Sequence, residues 1–272
     1  MQKISGNEIS KKILARMERI PAPKGEFTAI LVGENAFSLN FLKEKGKVAE
    51  SLGIKFKLHR IPAKTSETNL KEIILDLADN KKIGGIIIQL PLPKNFNRHA
   101  VLNAVPPEKD VDVLGEWAIG AFYNGHNYII PPSVATVEEI LKSCKVDLSK
   151  MNVAVVGLGL LIGRPIATWL MNRCRNLSLI GRSANLTQVK RADIIISGVG
   201  QAGLIKPEML KSGAIVIDFG YDYSEGRLQG DLDVLKPAKL KKLKYYTPTP
   251  GGTGPILIAK LFENFYRLNG YN

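Results

Sequence analysis

The chain has 272 residues, of which 45% are hydrophobic and 23% charged, and 38 Lys+Arg against 25 Asp+Glu give a net charge of +13. At about 150 residues per domain this length suggests two domains, and the balance excludes disorder, collagen and an overall coiled coil. The longest apolar run, around Ile86–Ile88, is far shorter than the ~18 residues of a membrane span, and the first residues lack the apolar stretch of a signal peptide.

In chain order, an amphipathic stretch over 9–20 leads through a Pro/Lys loop to an apolar strand at 27–32. The spacing predicts a helix over 40–52, a short strand near 55–59, a helix around 69–78 and a strand at 85–89. Pro131-Pro132 marks a break, followed by a helix over 134–142. A second series then places strands at 153–156, 177–180, 194–197, 215–218 and 245–247 with helices between them. Strands alternating with helices predict α/β architecture built on parallel sheets. A final helix over 255–268 could return to the first domain.

The strand at 153–156 runs into Gly157-Leu158-Gly159-Leu160-Leu161-Ile162-Gly163-Arg164-Pro165, a GxGxxxG variant of the dinucleotide loop. Glycines let backbone approach a pyrophosphate, whose charge meets the following helix N-terminus. Pro165 suits the first helical turn, where its missing N–H has no partner to lose. The next strand ends at Arg182-Ser183, where chains that bind NAD usually carry an acid for the ribose hydroxyls. A guanidinium there fits a 2′-phosphate, so NADP is expected; the alternative is an ordinary surface arginine.

Three features in the first half are out of place for their surroundings. On a helical wheel of 40–52, Phe41, Leu42, Val48, Ala49 and Leu52 share a face, and Lys45 lands inside it. Either the ammonium is desolvated and its pKa falls, which suits proton exchange, or it lies at the edge of the face and snorkels to water. Gln89 ends an apolar run and is followed by Leu90-Pro91-Leu92-Pro93, at the carboxyl end of a strand where such folds place ligands. In Lys109-Asp110-Val111-Asp112 two acids straddle a valine in an otherwise basic chain. A capped strand end and a solvated turn explain the last two equally well.

Two cysteines without CxxC and three scattered histidines support neither a disulfide framework nor a metal site, and a reduced cytoplasmic enzyme is expected. The lysines are dispersed, and their densest run, 236–244, is not interleaved with aromatics. That favours a surface serving phosphate or carboxylate ligands over nucleic acid.

The stretches VGENAFSLNFLKEKGKVAESLGI at 32–54, GGIIIQLPLP at 84–93, PPEKDVD at 106–112, GLLIGRP at 159–165, GAIVIDFG at 213–220, GDLD at 230–233 and TPTPGGTGP at 247–255 carry a family resemblance. Over nearly its full length the chain resembles the bifunctional methylenetetrahydrofolate dehydrogenase/cyclohydrolase family. The resemblance implies an N-terminal α/β substrate domain (1–131 plus 251–272) and a Rossmann-like NADP-binding domain (132–250) facing a cleft. It implies oxidation of 5,10-methylenetetrahydrofolate with NADP and hydrolysis of the product to 10-formyltetrahydrofolate, by a cytoplasmic homodimer formed through the cofactor domains. Lys45 would be the catalytic lysine, Gln89 would tune its protonation, and Asp112 would pair with the pterin ring of folate. Phe41, Leu90 and the loop of Pro250, Gly251, Gly252, Gly254 and Pro255 would contact folate. Gly157, Leu158, Gly159, Gly163, Arg182, Ser183 and Tyr221 would contact NADP.

The chain departs from the family at four places. Phe41 replaces a tyrosine, which removes a hydroxyl near Lys45 and points, as an alternative, to a dehydrogenase with weak cyclohydrolase activity. Gly157-Leu158-Gly159 lacks the two polar side chains of the usual GRS, which shifts 2′-phosphate recognition to Arg182 and Ser183. Val113 replaces a glycine, and Pro131-Pro132-Ser133-Val134 stands in for PCTP. Two rivals fall outside this reading: another NADP oxidoreductase of shikimate-dehydrogenase type, which leaves QLPLP and PGGTGP unexplained, and a basic nucleic-acid-binding protein.

Overall fold

The computed structural model describes residues 2–182, 184–224, 227–235 and 237–271. In chain order its elements are β1 (Gln2–Lys3), α1 (Gly6–Met17), β2 (Glu26–Val32), α2 (Ala36–Ser51), β3 (Phe56–Ile61), α3 (Glu67–Asp79), β4 (Ile83–Ile88), α4 (Arg98–Leu102), α5 (Glu116–Tyr123) and α6 (Pro132–Ser143). They continue with β5 (Asn152–Val156), α7 (Gly163–Leu170), β6 (Asn176–Ile180), β7 (Ile194–Ser197), β8 (Ile215–Asp218), β9 (Asp222–Ser224), β10 (Arg227–Gln229), α8 (Pro237–Leu240), β11 (Tyr245–Tyr246) and α9 (Thr253–Leu268). The chain forms two compact units, one of Ile13–Pro132 with Ile258–Asn272, the other of Met1–Lys12 with Ser133–Leu257.

The first unit holds a three-stranded parallel sheet in the order β3-β2-β4. Every residue of β2 is buried, as expected of a central strand covered on both faces. Phe27 on β2 stacks on Phe265 at 4.8 Å between ring centroids and meets Phe262 edge-on at 5.1 Å. Such pairs add about 0.5–1.5 kcal/mol each beyond their buried area. The C-terminal helix α9 therefore closes this sheet, as the final apolar periodicity predicts. Contact is tight: a Cβ on Gly85 of β4 would lie 2.8 Å from the Phe265 ring.

Helix α2 begins four residues earlier than its apolar pattern predicts, because Asn35 caps it by accepting from the Ser38 N–H at 3.0 Å. Pro132, read from sequence as a break, is instead the first residue of α6, where proline is tolerated. Helix α5 is unforeseen. None of its side chains is buried and Trp117 is 83% exposed, so it carries no apolar stripe for periodicity to detect.

The second unit is a six-stranded parallel sheet in the order β1-β11-β8-β7-β5-β6, with a β9–β10 hairpin beside it. Its core gathers Ala154 and Val156 of β5, Ile180 of β6, Ile195 of β7 and Val216 of β8. The chain leaves β5 to form β6 on one side and then crosses to form β7 on the other. That reversal opens a crevice at the carboxyl ends of β5 and β7, the usual ligand position in such sheets.

Candidate active site

Lys45 sits on α2 seven residues after Ser38 and four after Phe41, so the three share a face. Its side chain is only 9% exposed, which decides between the two readings of the wheel in favour of burial. Its Nζ donates to Gln89 Oε1 at 3.1 Å. Gln89 continues the ladder just past β4, its N–H donating to the Ile30 carbonyl at 2.8 Å. Its own amide Nε2 donates to the Leu90 carbonyl at 2.8 Å, which fixes Oε1 toward the lysine. The buried Ser38 hydroxyl reaches that same carbonyl at 3.4 Å. Sequence reading missed Ser38 because it placed the helix start at residue 40; the Asn35 cap was the available signal.

Burial pushes the Lys45 ammonium below the usual lysine range, against the opposing pull of the Asp112 carboxylate. Burial pushes Asp112 up, and the lysine beside it draws it down. The two are thus electrostatically coupled, each limiting the other's displacement.

The two acids of KDVD have separate tasks. Asp110 is 4% exposed and accepts from the Leu114 and Gly115 N–H groups at 2.8 and 2.7 Å, which folds the segment back on itself. Burial raises its carboxyl to about 6, with the Gly115 and Leu114 N–H bonds opposing and the Asp112 charge adding to the rise. Asp112 is the partly buried acid left toward Lys45. Just before them Lys109 donates to the Ala78 and Asn80 carbonyls at the end of α3. From α9, Asn264 Nδ2 donates to the Val111 and Ile130 carbonyls at 2.9 and 2.8 Å, pinning the loop from its other side. Val113 has φ +58, which explains why this position suits glycine. A β-branched residue there carries strain of about 1–3 kcal/mol.

In the second unit, Gly157 follows β5 with φ +83, and a Cβ on Gly163 would lie 1.8 Å from the Gly157 carbonyl oxygen. Only glycine closes this turn. Gly159 is exposed with open space where a Cβ would point, and no side chain caps the N-terminus of α7. Arg164 folds back to donate from Nε to the Leu158 carbonyl at 3.1 Å. An open glycine turn feeding an uncapped helix start fits a pyrophosphate. Arg182 is exposed on the turn after β6; Ser183 lies outside the described residues. Tyr221 is 37% exposed in the segment after β8.

The Pro250–Pro255 segment also belongs to the second unit. Gly251 has φ +88 and accepts at its carbonyl from the Gly6 N–H at 2.8 Å, while a Cβ on Gly252 would lie 2.3 Å from the Pro248 carbonyl oxygen. Gly254 and Pro255 lie in the first turn of α9. The first unit thus gathers Lys45, Gln89, Leu90 and Phe41 about the KDVD loop, and the second gathers the glycine turns.

A family model for the catalytic domain of tetrahydrofolate dehydrogenase/cyclohydrolase matches residues 4–112, and one for the NAD(P)-binding domain of the same family matches 131–271. The chain is similar to the bifunctional protein FolD of Bacillus licheniformis, 38% identical over 86% of this chain and 83% of that one. Among solved structures it resembles the FolD methylenetetrahydrofolate dehydrogenase/cyclohydrolase of Campylobacter jejuni, with a TM-score of 0.93 and 30% identity over 99% of this chain and 98% of that one. It also resembles the Trypanosoma brucei enzyme complexed with NADP and an inhibitor, with a TM-score of 0.91 and 28% identity over 98% and 97% of the two chains.

Proposed function

Because this chain belongs to the tetrahydrofolate dehydrogenase/cyclohydrolase family, we propose that it oxidises 5,10-methylenetetrahydrofolate with NADP and hydrolyses the resulting methenyl cation to 10-formyltetrahydrofolate. The observation that carries the chemistry is the buried Lys45 amine held at 3.1 Å by Gln89 beside Asp112. Bound NADP supplies the hydride acceptor, so the protein's part in the first step is alignment.

Hydrolysis requires a water to lose a proton as it adds to a cationic carbon. A lysine whose ammonium is destabilised by burial gives up its proton more readily, which suits it to accept and relay a proton. Gln89 Oε1 fixes where the amine points. Asp112 accepts hydrogen bonds from the pterin ring N–H and amino groups, and Phe41 and Leu90 supply apolar contact. The segment of Pro250, Gly251, Gly252, Gly254 and Pro255 completes the folate contacts. Gly157, Leu158, Gly159 and Gly163 take the pyrophosphate, Arg182 and Ser183 the 2′-phosphate, and Tyr221 the rest of the cofactor. We assign the folate domain to 1–131 plus 251–272 and the NADP domain to 132–250, with 1–12 and 251–257 packed in the second compact unit. The enzyme works as a cytoplasmic homodimer; among the described residues no helix is long and apolar enough to cross a membrane.

The assay is spectrophotometric: methenyl formation on adding methylenetetrahydrofolate with NAD and NADP in parallel, followed by methenyl decay. No NADP-dependent signal would overturn the assignment. In Arg182→Ala the preference for NADP over NAD falls by roughly 10–100-fold, the worth of a charge-assisted bond to phosphate, with the NAD reaction unchanged. Unaltered discrimination would assign the 2′-phosphate elsewhere.

Phe41 lies one turn before Lys45 on the same face, and this observation favours the second reading of a slow hydrolase step. Phe41→Tyr restores a hydroxyl there and raises methenyl hydrolysis several-fold with dehydrogenase kinetics unchanged. Equal cyclohydrolase rates in the two proteins would remove the tyrosine from the argument.

A further inference from the structure

The segment after β7, Gly198-Val199-Gly200-Gln201-Ala202-Gly203, forms the other wall of the crevice beside the Gly157 turn. The two loops touch. A Cβ on Gly157 would lie 3.0 Å from the Gly198 carbonyl oxygen, and one on Gly198 would lie 2.5 Å from Ile162 Cγ2. By composition this is a second glycine-rich nest of the kind that binds phosphate through consecutive N–H groups.

Its N–H groups are already engaged. The fully buried Asp231 carboxylate accepts from Val199, Gly200 and Gln201 N–H groups at 2.8, 2.9 and 2.8 Å, and from the Ser197 hydroxyl. The nest holds an internal anion. In a trans peptide the carbonyl points opposite to the N–H. The three carbonyls of 198–200 therefore turn away from Asp231, and that of Gly198 faces the Gly157 turn. Asp231 is itself held from behind. Asp218 accepts from the Leu232 and Gly220 N–H groups at 2.9 and 2.7 Å, and a Cβ on Gly230 would come within 2.2 Å of the Asp218 carboxylate. Burial and the Asp231 charge raise the Asp218 carboxyl to about 7.

We infer that Asp231 is a positioning residue for cofactor binding: it locks 198–201 so that this wall offers carbonyl acceptors and takes hydroxyl and amide donors of the dinucleotide, not its phosphates. Arg182 follows β6 and this loop follows β7, on opposite sides of β5, so the acceptor wall serves the nicotinamide half. The inference rests on the NADP reading above.

The test uses Asp231→Asn and Ser197→Ala in the full chain, with NADP kinetics, NADP and 2′,5′-ADP titrations, and methenyl hydrolysis. In Asp231→Asn the KM and Kd for NADP rise about tenfold or more, while kcat at saturating NADP and methenyl hydrolysis stay within about twofold. Ser197→Ala, which removes one donor and leaves the backbone bonds, gives the same split at about threefold and carries the test alone if the first variant does not fold. Binding of 2′,5′-ADP, which lacks the nicotinamide half, is unchanged in both. Equal weakening of NADP and 2′,5′-ADP, parallel loss of both activities at unchanged KM, or wild-type kinetics in both variants each overturn the inference. A wild-type protein that binds neither nucleotide overturns the cofactor reading itself, and is recognised before any variant is made.

Discussion

Lys45→Met lowers methenyl hydrolysis by about 10²–10⁴-fold, the range supplied by a positioned proton acceptor, and leaves the protein folded. Methionine has similar length and no charge, so it fills the space on α2 without leaving an ammonium away from water. Asp112 loses its cationic neighbour, which costs stability, and burial then favours its protonated form, which limits that cost. Gln89 keeps its bond to the Leu90 carbonyl, so the strand end does not collapse. Hydride transfer needs no proton from this residue, so NADPH formation falls far less than methenyl decay. Following both absorbances in one cuvette separates the two steps. Hydrolysis within twofold of wild type would remove Lys45 from the chemistry.

The second large effect is on stability against pH. Asp218 and Asp110 have carboxyls raised to about 7 and about 6 from an ordinary value of 3.8. The folded state therefore holds protons that the unfolded chain releases. Their contribution to stability is fully present below pH 3.8 and is lost as pH rises through about 6 for Asp110 and about 7 for Asp218. At about 1.4 kcal/mol per unit, Asp218 alone accounts for roughly 4 kcal/mol across that window. Between pH 4 and 7 this pulls wild-type stability down in urea unfolding, and Asp218→Asn flattens that decline. Lys45 acts in the opposite sense, since its lowered pKa favours the folded state as pH rises, but it is common to both proteins and cancels in their difference. A variant whose stability falls as steeply as wild type would show that Asp218 is ionised when folded.

The alternation of strands and helices was legible because buried parallel strands are continuous apolar runs and their helices are striped. Lys45 was legible as a polar residue on such a stripe, and Gln89 as one at a strand's ligand-bearing end. What sequence could not do was separate Asp110 from Asp112. Alternation assigns both to one side, and only the turn closed by the Leu114 and Gly115 N–H groups gives them different surroundings. Asn264 escaped because its partners, Val111 and Ile130, lie more than a hundred residues away. Asp218 ends a buried strand, the same kind of position as Gln89, and that logic would have found it. Asp231 gives no such sign, since it lies in a short GDLD turn whose donors come from another loop. Helix α5 and the two-residue strand β1 offered too little burial or length for any period to register.

Strand β1 pairs in parallel with β11, Gln2 opposite Tyr245 and Lys3 opposite Tyr246. Strand β1 thus waits for a partner made roughly 240 residues later, about 10–50 s at translation rates of 5–20 residues per second. Throughout that interval β1 has no strand to pair with on the nascent chain, and this edge of the second unit closes only once β11 has been made.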